Sequence, residues 1–471
     1  MRAGALAVAL VLAAGPVLAA GEDADLDLIP DAVMNAPASD QPDFVATRAG
    51  QFRWRAFLEA APEADFPRRD LLVPLPPGFQ PHWRNRLSAD FRAEYRFDQT
   101  WSATVAERLN ILSTQGSDPR GRDVVNDLRE AYVTWRGQGE TFADAGRINL
   151  KSGVALGFNP TDYFRTNAVD IFVSNDPTVL RDNRLGTLMA RAQVVREIGA
   201  VTLAAAPGLG YDPGAWWADD RSIGLNLQNT NYHSRFLAKT TLNLNRDVTP
   251  EVLLYNEGGQ TRIGLNATKG IGDAVVAYAE YSGGRDRPLA ADALIQGVQY
   301  GRLPKNTVPL YPTSFERRFM NQVAVGFSYA LPPKLSVNVE YHYNQGGFSQ
   351  AQFDRWITTG QALAPYAGLG ATGQLWLLRQ FAGNQLEPFM RHQIFLRAAL
   401  DNIFTPNLNI SGVAFVSPYD GSFSWQVTTD YAVTPQVSVG ALVGANVGGP
   451  KTVYGSLPQG GSIIGKFRVY F

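Results

Sequence analysis

Cysteine is absent from this 471-residue chain, which removes disulfide frameworks, thiolate nucleophiles and Cys-based metal sites together. Histidine is scarce. His82, His233, His342 and His392 are the full set of four, and no Ser or Asp spacing near them forms a catalytic constellation. Charged residues make up 18%, below the usual quarter. Their signs balance to a net charge of -1, so nucleic acid is not an expected partner. The chain has no Gly-rich phosphate loop followed by Lys-Ser/Thr and no metal-ligand cluster. We therefore expect no cofactor and no enzymatic activity. Beyond the N-terminus no apolar run reaches about 18 residues, which excludes a helical membrane protein.

The N-terminus does carry an apolar stretch, and it has the form of an export signal. Arg2 supplies a positive start, Ala5 to Val17 an apolar core, and Val17-Leu18-Ala19 a small-residue cleavage pattern. Residues 1–19 are thus expected to be a signal peptide. Residues 20–50 follow as an acidic periplasmic segment with Asp23, Asp25, Asp27, Asp31 and Asp40. It has too few apolar residues to fold alone.

From residue 51 to 471 the pattern has a period of two. In the clearest block, Leu87, Ala89, Phe91, Ala93, Tyr95 and Phe97 alternate with Arg86, Ser88, Asp90, Arg92, Glu94 and Arg96. A helix would scatter these charges around itself, whereas a strand sends them all to one face. A charged face is costly in a dry sandwich core but ordinary beside a watery lumen. The same alternation recurs through about eighteen segments of roughly ten residues, the length a tilted strand needs to cross a bilayer. The connections sort by parity. Short turns are expected at 98–100, 137–140, 197–199, 246–250, 270–273, 331–334, 401–406 and 432–436, and long loops at 59–84, 150–185, 207–232, 283–318 and 345–388. The expected fold class is all-β, a transmembrane antiparallel up-and-down β-barrel with short periplasmic turns and long extracellular loops. Phe97, Trp101, Phe327, Tyr329 and Tyr431 beside the short turns suit an interfacial aromatic belt. In the loop 345–388, Ser349 is placed to N-cap a helix through Trp356.

The last strand, Ser462 to Phe471, puts Ile463, Phe467, Val469 and Phe471 on one face and Ile464, Lys466, Arg468 and Tyr470 on the other. This ending resembles the C-terminal signal of Gram-negative outer-membrane barrels, an alternating strand finished by Phe. The resemblance implies recognition by the barrel-assembly machinery through the Phe471 strand. It also implies a location in the outer membrane, among its lipid and lipopolysaccharide. In plan the chain is similar to the alginate-export and substrate-specific porins. The run from Gly146-Arg147 to Asn159-Pro160-Thr161-Asp162 resembles a stretch found in porin-like families. A loop folded into the channel is one reading of it, and a capped surface loop the other.

The alternation also selects the inward charges. Arg86, Asp90, Arg92, Glu94, Arg96, Arg108, Arg191, Arg235, Lys239, Arg262, Glu340, Arg391, Arg397, Lys466 and Arg468 are the expected pore-lining residues. Rings of Arg and Lys favour anions. The expected function is passive diffusion or export of small polar or anionic solutes, including saccharides, through a basic lumen. The alternative is a barrel without transport that serves as a surface anchor, adhesin or assembly partner through its outer loops.

Overall fold

The computed structural model describes residues 49–76, 83–114, 123–169, 173–174, 176–210, 212, 215, 225–244, 248–272, 274–331 and 334–471. The expected signal peptide, nearly all of the acidic segment and His82 lie outside the described residues.

The period-two segments form strands β1 (Phe52–Pro67), β2 (Trp83–Arg96), β3 (Trp101–Thr114), β4 (Val124–Arg136), β5 (Thr141–Ile148), β6 (Thr187–Arg196), β7 (Gly199–Ala206), β8 (Arg235–Leu242) and β9 (Val248–Glu257). They continue as β10 (Gln260–Ile271), β11 (Val275–Asp286), β12 (Arg318–Leu331), β13 (Leu335–Asn344), β14 (His392–Leu400), β15 (Leu408–Val416), β16 (Phe423–Thr434), β17 (Val437–Val447) and β18 (Gln459–Tyr470). Each pairs antiparallel with the next, and β18 pairs back onto β1, so one 18-stranded sheet closes on itself. Closure satisfies every strand edge, as a wall standing in hydrocarbon requires. No helix among the described residues is long and apolar enough to cross a membrane.

The seam falls where the last strand predicted it, with a shifted register. Pairing runs from Phe57↔Tyr470 to Pro67↔Gln459, so the partner of β18 is mostly the stretch beyond Leu58 rather than Phe52 to Leu58. Residues 59–67, expected in a loop, are strand. Pro62 has no N–H to donate, and the register with β18 passes over it and Ala61. The outer face is apolar, with Leu58, Leu87, Ile463 and Phe467 exposed. Inward positions of the same strands are buried, as Glu59, Arg86, Ile464 and Lys466 show.

All connections at the end where the chain enters β1 and leaves β18 are short. At the other end most loops are long; the exceptions are the six-residue connection 417–422 between β15 and β16 and the turn Gly258-Gly259 between β9 and β10. Both of its glycines have positive φ, 56° and 83°, which suits a tight hairpin that L side chains adopt poorly. The long loops carry short helices α1 (Pro177–Asp182) and α2 (Leu227–Thr230) and the longer α3 (Leu289–Gln299), α4 (Gln350–Leu363) and α5 (Gly373–Asn384). Ser349 caps α4 as expected. Its hydroxyl accepts from Gln352 N at 3.4 Å and its N–H donates to Gln352 Oε1 at 2.9 Å, a reciprocal capping box. The helix continues past Trp356 to Leu363.

These helices build a second apolar core at the long-loop end. Leu289 and Leu294 of α3, Phe353 and Trp356 of α4, and Leu375 and Trp376 of α5 pack with Val73 and Val453 from two other loops. Trp356 Nε1 donates to Leu375 O at 3.1 Å, and Trp376 Nε1 to Pro74 O at 3.1 Å. Four loops far apart in sequence are thus cross-braced over the barrel rim.

Candidate functional site: the barrel interior

Pleating sends alternate side chains inward, and the chain between β5 and β6, in its described residues 149–169, 173–174 and 176–186, folds down among them. Its first part lies on the β5–β9 wall. Leu150, Tyr163 and Phe164 are buried with Leu237, Leu253 and Tyr255, and the rings of Tyr163 and Tyr255 stack at 4.4 Å. Tyr163 Oη and Ser282 Oγ of β11 share a hydrogen bond of 3.0 Å.

Two inward glutamates hold this segment by its backbone. Glu280 of β11 accepts from Val154 N, from Ala155 N at 2.6 Å, from Thr161 N at 3.3 Å and from Thr161 Oγ1 at 3.0 Å. Glu340 of β13 accepts from Leu156 N at 2.6 Å, Gly157 N at 2.9 Å and Tyr278 Oη at 2.7 Å, with His342 Nε2 at 2.7 Å. Consecutive N–H groups converging on a carboxylate form a charge-assisted clasp. Gly153 and Gly157 permit it. A Cβ on Gly153 would lie 2.7 Å from Glu280 Oε1, and one on Gly157 would lie 2.6 Å from the Phe395 ring. Gly153 also has φ +97°, which disfavours other residues.

Further contacts tie the segment to itself and to β3 and β18. Arg184 pairs with Asp162 within the segment. Asn183 Oδ1 accepts from Arg108 of β3 at 2.8 Å, and Asp176 lies 3.3 Å from Lys466 Nζ of β18. The Gly146–Asp162 run singled out in the sequence therefore lies inside the barrel as an inward-folded loop, not as a surface cap.

The expected pore-lining residues all lie on strands except Arg391, one residue ahead of β14. Most are paired. Glu59 stands between Arg86, at 2.7 Å, and Arg468 across the seam. Asp90 accepts from Arg108 at 2.7 Å and from Arg129 at 2.8 Å. Arg92 bridges Glu94 at 3.2 Å and Glu130 at 3.1 Å. Arg191 meets Asp144 at 2.7 Å, Arg235 meets Glu257 at 3.0 Å, and Lys239 meets Glu251 at 3.6 Å. Arg262 pairs with Asp286, and Lys466 reaches Asp430 at 3.5 Å as well as Asp176. Arg96 donates to Asp98 O at the short-turn rim (2.9 Å), Arg391 to Gly347 O (3.2 Å) and Arg397 to Asn338 Oδ1 (3.3 Å).

The acids Glu59, Asp144, Glu251, Glu257 and Asp286 were missing from the expected set. Their inward parity was readable in the alternation once the strands had their true lengths. Asp176 and Asp182 come from the inward loop and had no such signal. Arg129 enters through a bulge: Ala106 faces Glu130 while Glu107 faces Leu128, so Arg129 is the extra residue.

At the mouth, Asp292 of α3 sits near Arg287, 3.8 Å away. Burial, reinforced by Asp286, holds its carboxyl well above the usual aspartate range, against the opposing pull of Arg262 and Arg287. Among the described residues no cluster of His, Asp and Glu is placed to hold a metal ion.

No family model matches the chain, and no curated protein matches it. Among solved structures, OccAB1 of Acinetobacter baumannii superposes with a TM-score of 0.53 at 10% identity, over 92% of this chain and 99% of that one. OccK8 (OprE) of Pseudomonas aeruginosa gives 0.49 at 10% identity, over 90% and 99%. A mutant of the Rh. blastica porin gives 0.40 at 10% identity, over 89% and 100%. At a tenth of identical positions such likeness speaks for fold alone. The closed barrel, the lipid-suited outer face and the OccAB1 superposition make this chain porin-like in fold.

Proposed function

We propose that the chain is an outer-membrane channel through which small polar solutes diffuse passively. The observation that carries this reading is a closed 18-stranded wall with an apolar outside, whose hydrophilic interior is narrowed by the inward-folded segment clasped to Glu280 and Glu340. A barrel needing only to anchor loops gains nothing from a fastened inward segment. Residues 1–19 would direct export, Phe471 would present the last strand to the barrel-assembly machinery, and lipid with lipopolysaccharide would surround the wall.

On solute class, the inward Arg and Lys would favour anions if they stood free. The ion pairs offset much of that field, because a carboxylate within 4 Å of a cation cancels most of its potential at a distance. Neutral hydroxylated solutes, saccharides among them, therefore fit the interior better than anions. Arg92, Glu94 and Arg262 keep 23–28% of their side chains exposed, and Asp430 keeps 43%.

The braced core of α3, α4 and α5 favours one alternative, a surface anchor or adhesin that presents a rigid outer platform. Purified protein in planar bilayers separates the two. Stepwise ohmic conductance is expected, and barrels that insert without conducting would sink the channel reading.

A further inference from the structure

Inward residues are not covered evenly around the barrel. On β2 and β3, Arg86, Ser88, Arg108 and Asn110 are buried, and on β8 to β11 so are Lys239, Glu251, Asn266 and Glu280. On β15 and β16 the inward positions remain partly open. Cross-strand register carries the inward parity of Arg397 to Val413 and on to Gln426, and likewise places Ser411 beside Thr428. Not one inward residue of these two strands is buried. Asp430, also inward, has 43% of its side chain exposed, the most open carboxylate among the ion pairs described.

The inward segment explains the asymmetry. On one side it reaches as far as β14, where Gly157 lies against the Phe395 ring. On the other it reaches β18, where Asp176 lies 3.3 Å from Lys466. Between these two contacts lies the arc β15–β17, with small or uncharged inward residues such as Ser411, Thr428, Ser438 and Gly440, while Leu442 on β17 is buried with Ala61 and Ile464. Lys466 sits at the edge of this arc and spans Asp176 and Asp430.

We propose that the water-filled path is eccentric. It runs along the inner faces of β15 and β16, and Asp430 sets its charge preference. Ser411, Gln426 and Thr428 line the path together with the apolar Val413 and Phe415, so it takes neutral hydroxylated solutes with apolar faces and, among small ions, passes cations ahead of anions. Arg86, Arg108 and Lys239 lie behind the inward segment and do not meet the solute. This rests on the channel reading above and deepens it.

The cysteine-free chain allows a direct test, since any introduced thiol is the only one. Ser411→Cys and Thr428→Cys place it on the open arc, and Ser88→Cys and Thr202→Cys place it on covered strands. A membrane-impermeant methanethiosulfonate is added to folded protein in detergent, and labelling is read by mass. Complete labelling at 411 and 428 with protection at 88 and 202 is expected; equal labelling at all four, or the reverse pattern, overturns the eccentric path. This readout does not need conductance, so it fails separately from the channel reading. In bilayers under a KCl gradient, Asp430→Asn should lower the K⁺/Cl⁻ permeability ratio by about twofold or more. An unchanged ratio removes Asp430 from the proposal, and a wild-type reversal potential on the anion side overturns the cation preference.

Discussion

Replacing Glu280 with Gln tests the clasp at its most loaded point. The carboxylate receives four hydrogen bonds from Val154, Ala155 and Thr161. Glutamine keeps one acceptor oxygen and presents N–H donors where the other stood. With the amide nitrogen at the Oε2 place, Thr161 N loses its acceptor while the Thr161 hydroxyl can turn to accept, and the two bonds left on the oxygen lose their charge assistance. Bonds to charged groups contribute about 1.5–3 kcal/mol each and neutral ones roughly half, so the gross loss is about 3–6 kcal/mol. Removing a buried charge returns part of its desolvation cost. A net loss of about 3 kcal/mol moves the balance between clasped and released segment by roughly a hundredfold. The barrel ladder is untouched, so overall folding should change little. In single-channel recordings the Glu280→Gln protein should show frequent flicker between conductance levels where the wild type is quiet. Adding Glu340→Gln should increase the flicker further. Traces for Glu280→Gln that match the wild type in level, noise and dwell time would refute the clasp as what holds the segment.

At the seam, Glu59→Gln leaves Arg86 and Arg468 without their shared carboxylate; breaking such a buried arrangement costs about 3–5 kcal/mol and should lower the heat-induced mobility transition of the barrel on gels. Asp292 titrates above its unfolded value, so the folded state holds its proton longer than the unfolded chain does, and its contribution to stability falls as pH rises through that range. Asp292→Asn should accordingly gain in melting temperature relative to wild type between pH 4 and pH 8, and a difference independent of pH would contradict this. Deleting Phe471 removes the reciprocal N–H to O=C bonds between Ala56 and Phe471, and should reduce membrane assembly while leaving ion preference unchanged in the fraction that inserts; normal assembly of the deletion would count against the role given to this end.

Which parts of the design were legible depended on how local their causes are. The alternation in Leu87 to Phe97 exposes strand, face and solvent at once, because side-chain direction in a strand follows from backbone geometry alone. The Ser349 cap was legible for the same reason, since donor and acceptor lie three residues apart. β1 was cut short because Pro62, Glu63, Asp65 and Pro67 read as a loop. Their place in the wall follows from Arg84, which lies 3.9 Å from Glu63 and 3.6 Å from Asp65 on the neighbouring strand. The extra helix α5 was missed for a similar reason, because its apolar residues pack with α3, more than seventy residues earlier, and with Val73, about three hundred residues earlier.

Sequence alone determined that this chain forms strands, that they are long enough to span a bilayer, that their loops sort by parity and that the last strand must meet the first. Each of these follows from period, length and the requirement that no strand edge stand open in lipid. Tertiary structure decided which charges remain free. Arg86, Lys239 and Lys466 look alike in the alternation, yet each finds a carboxylate from another strand or from the inward segment. Electrostatic pairing depends on distances of a few ångströms between residues far apart in the chain, and periodicity carries no such information. The path a solute takes depends on where the inward segment fastens. That is set by Glu280 and Glu340 meeting backbone N–H groups more than a hundred residues away.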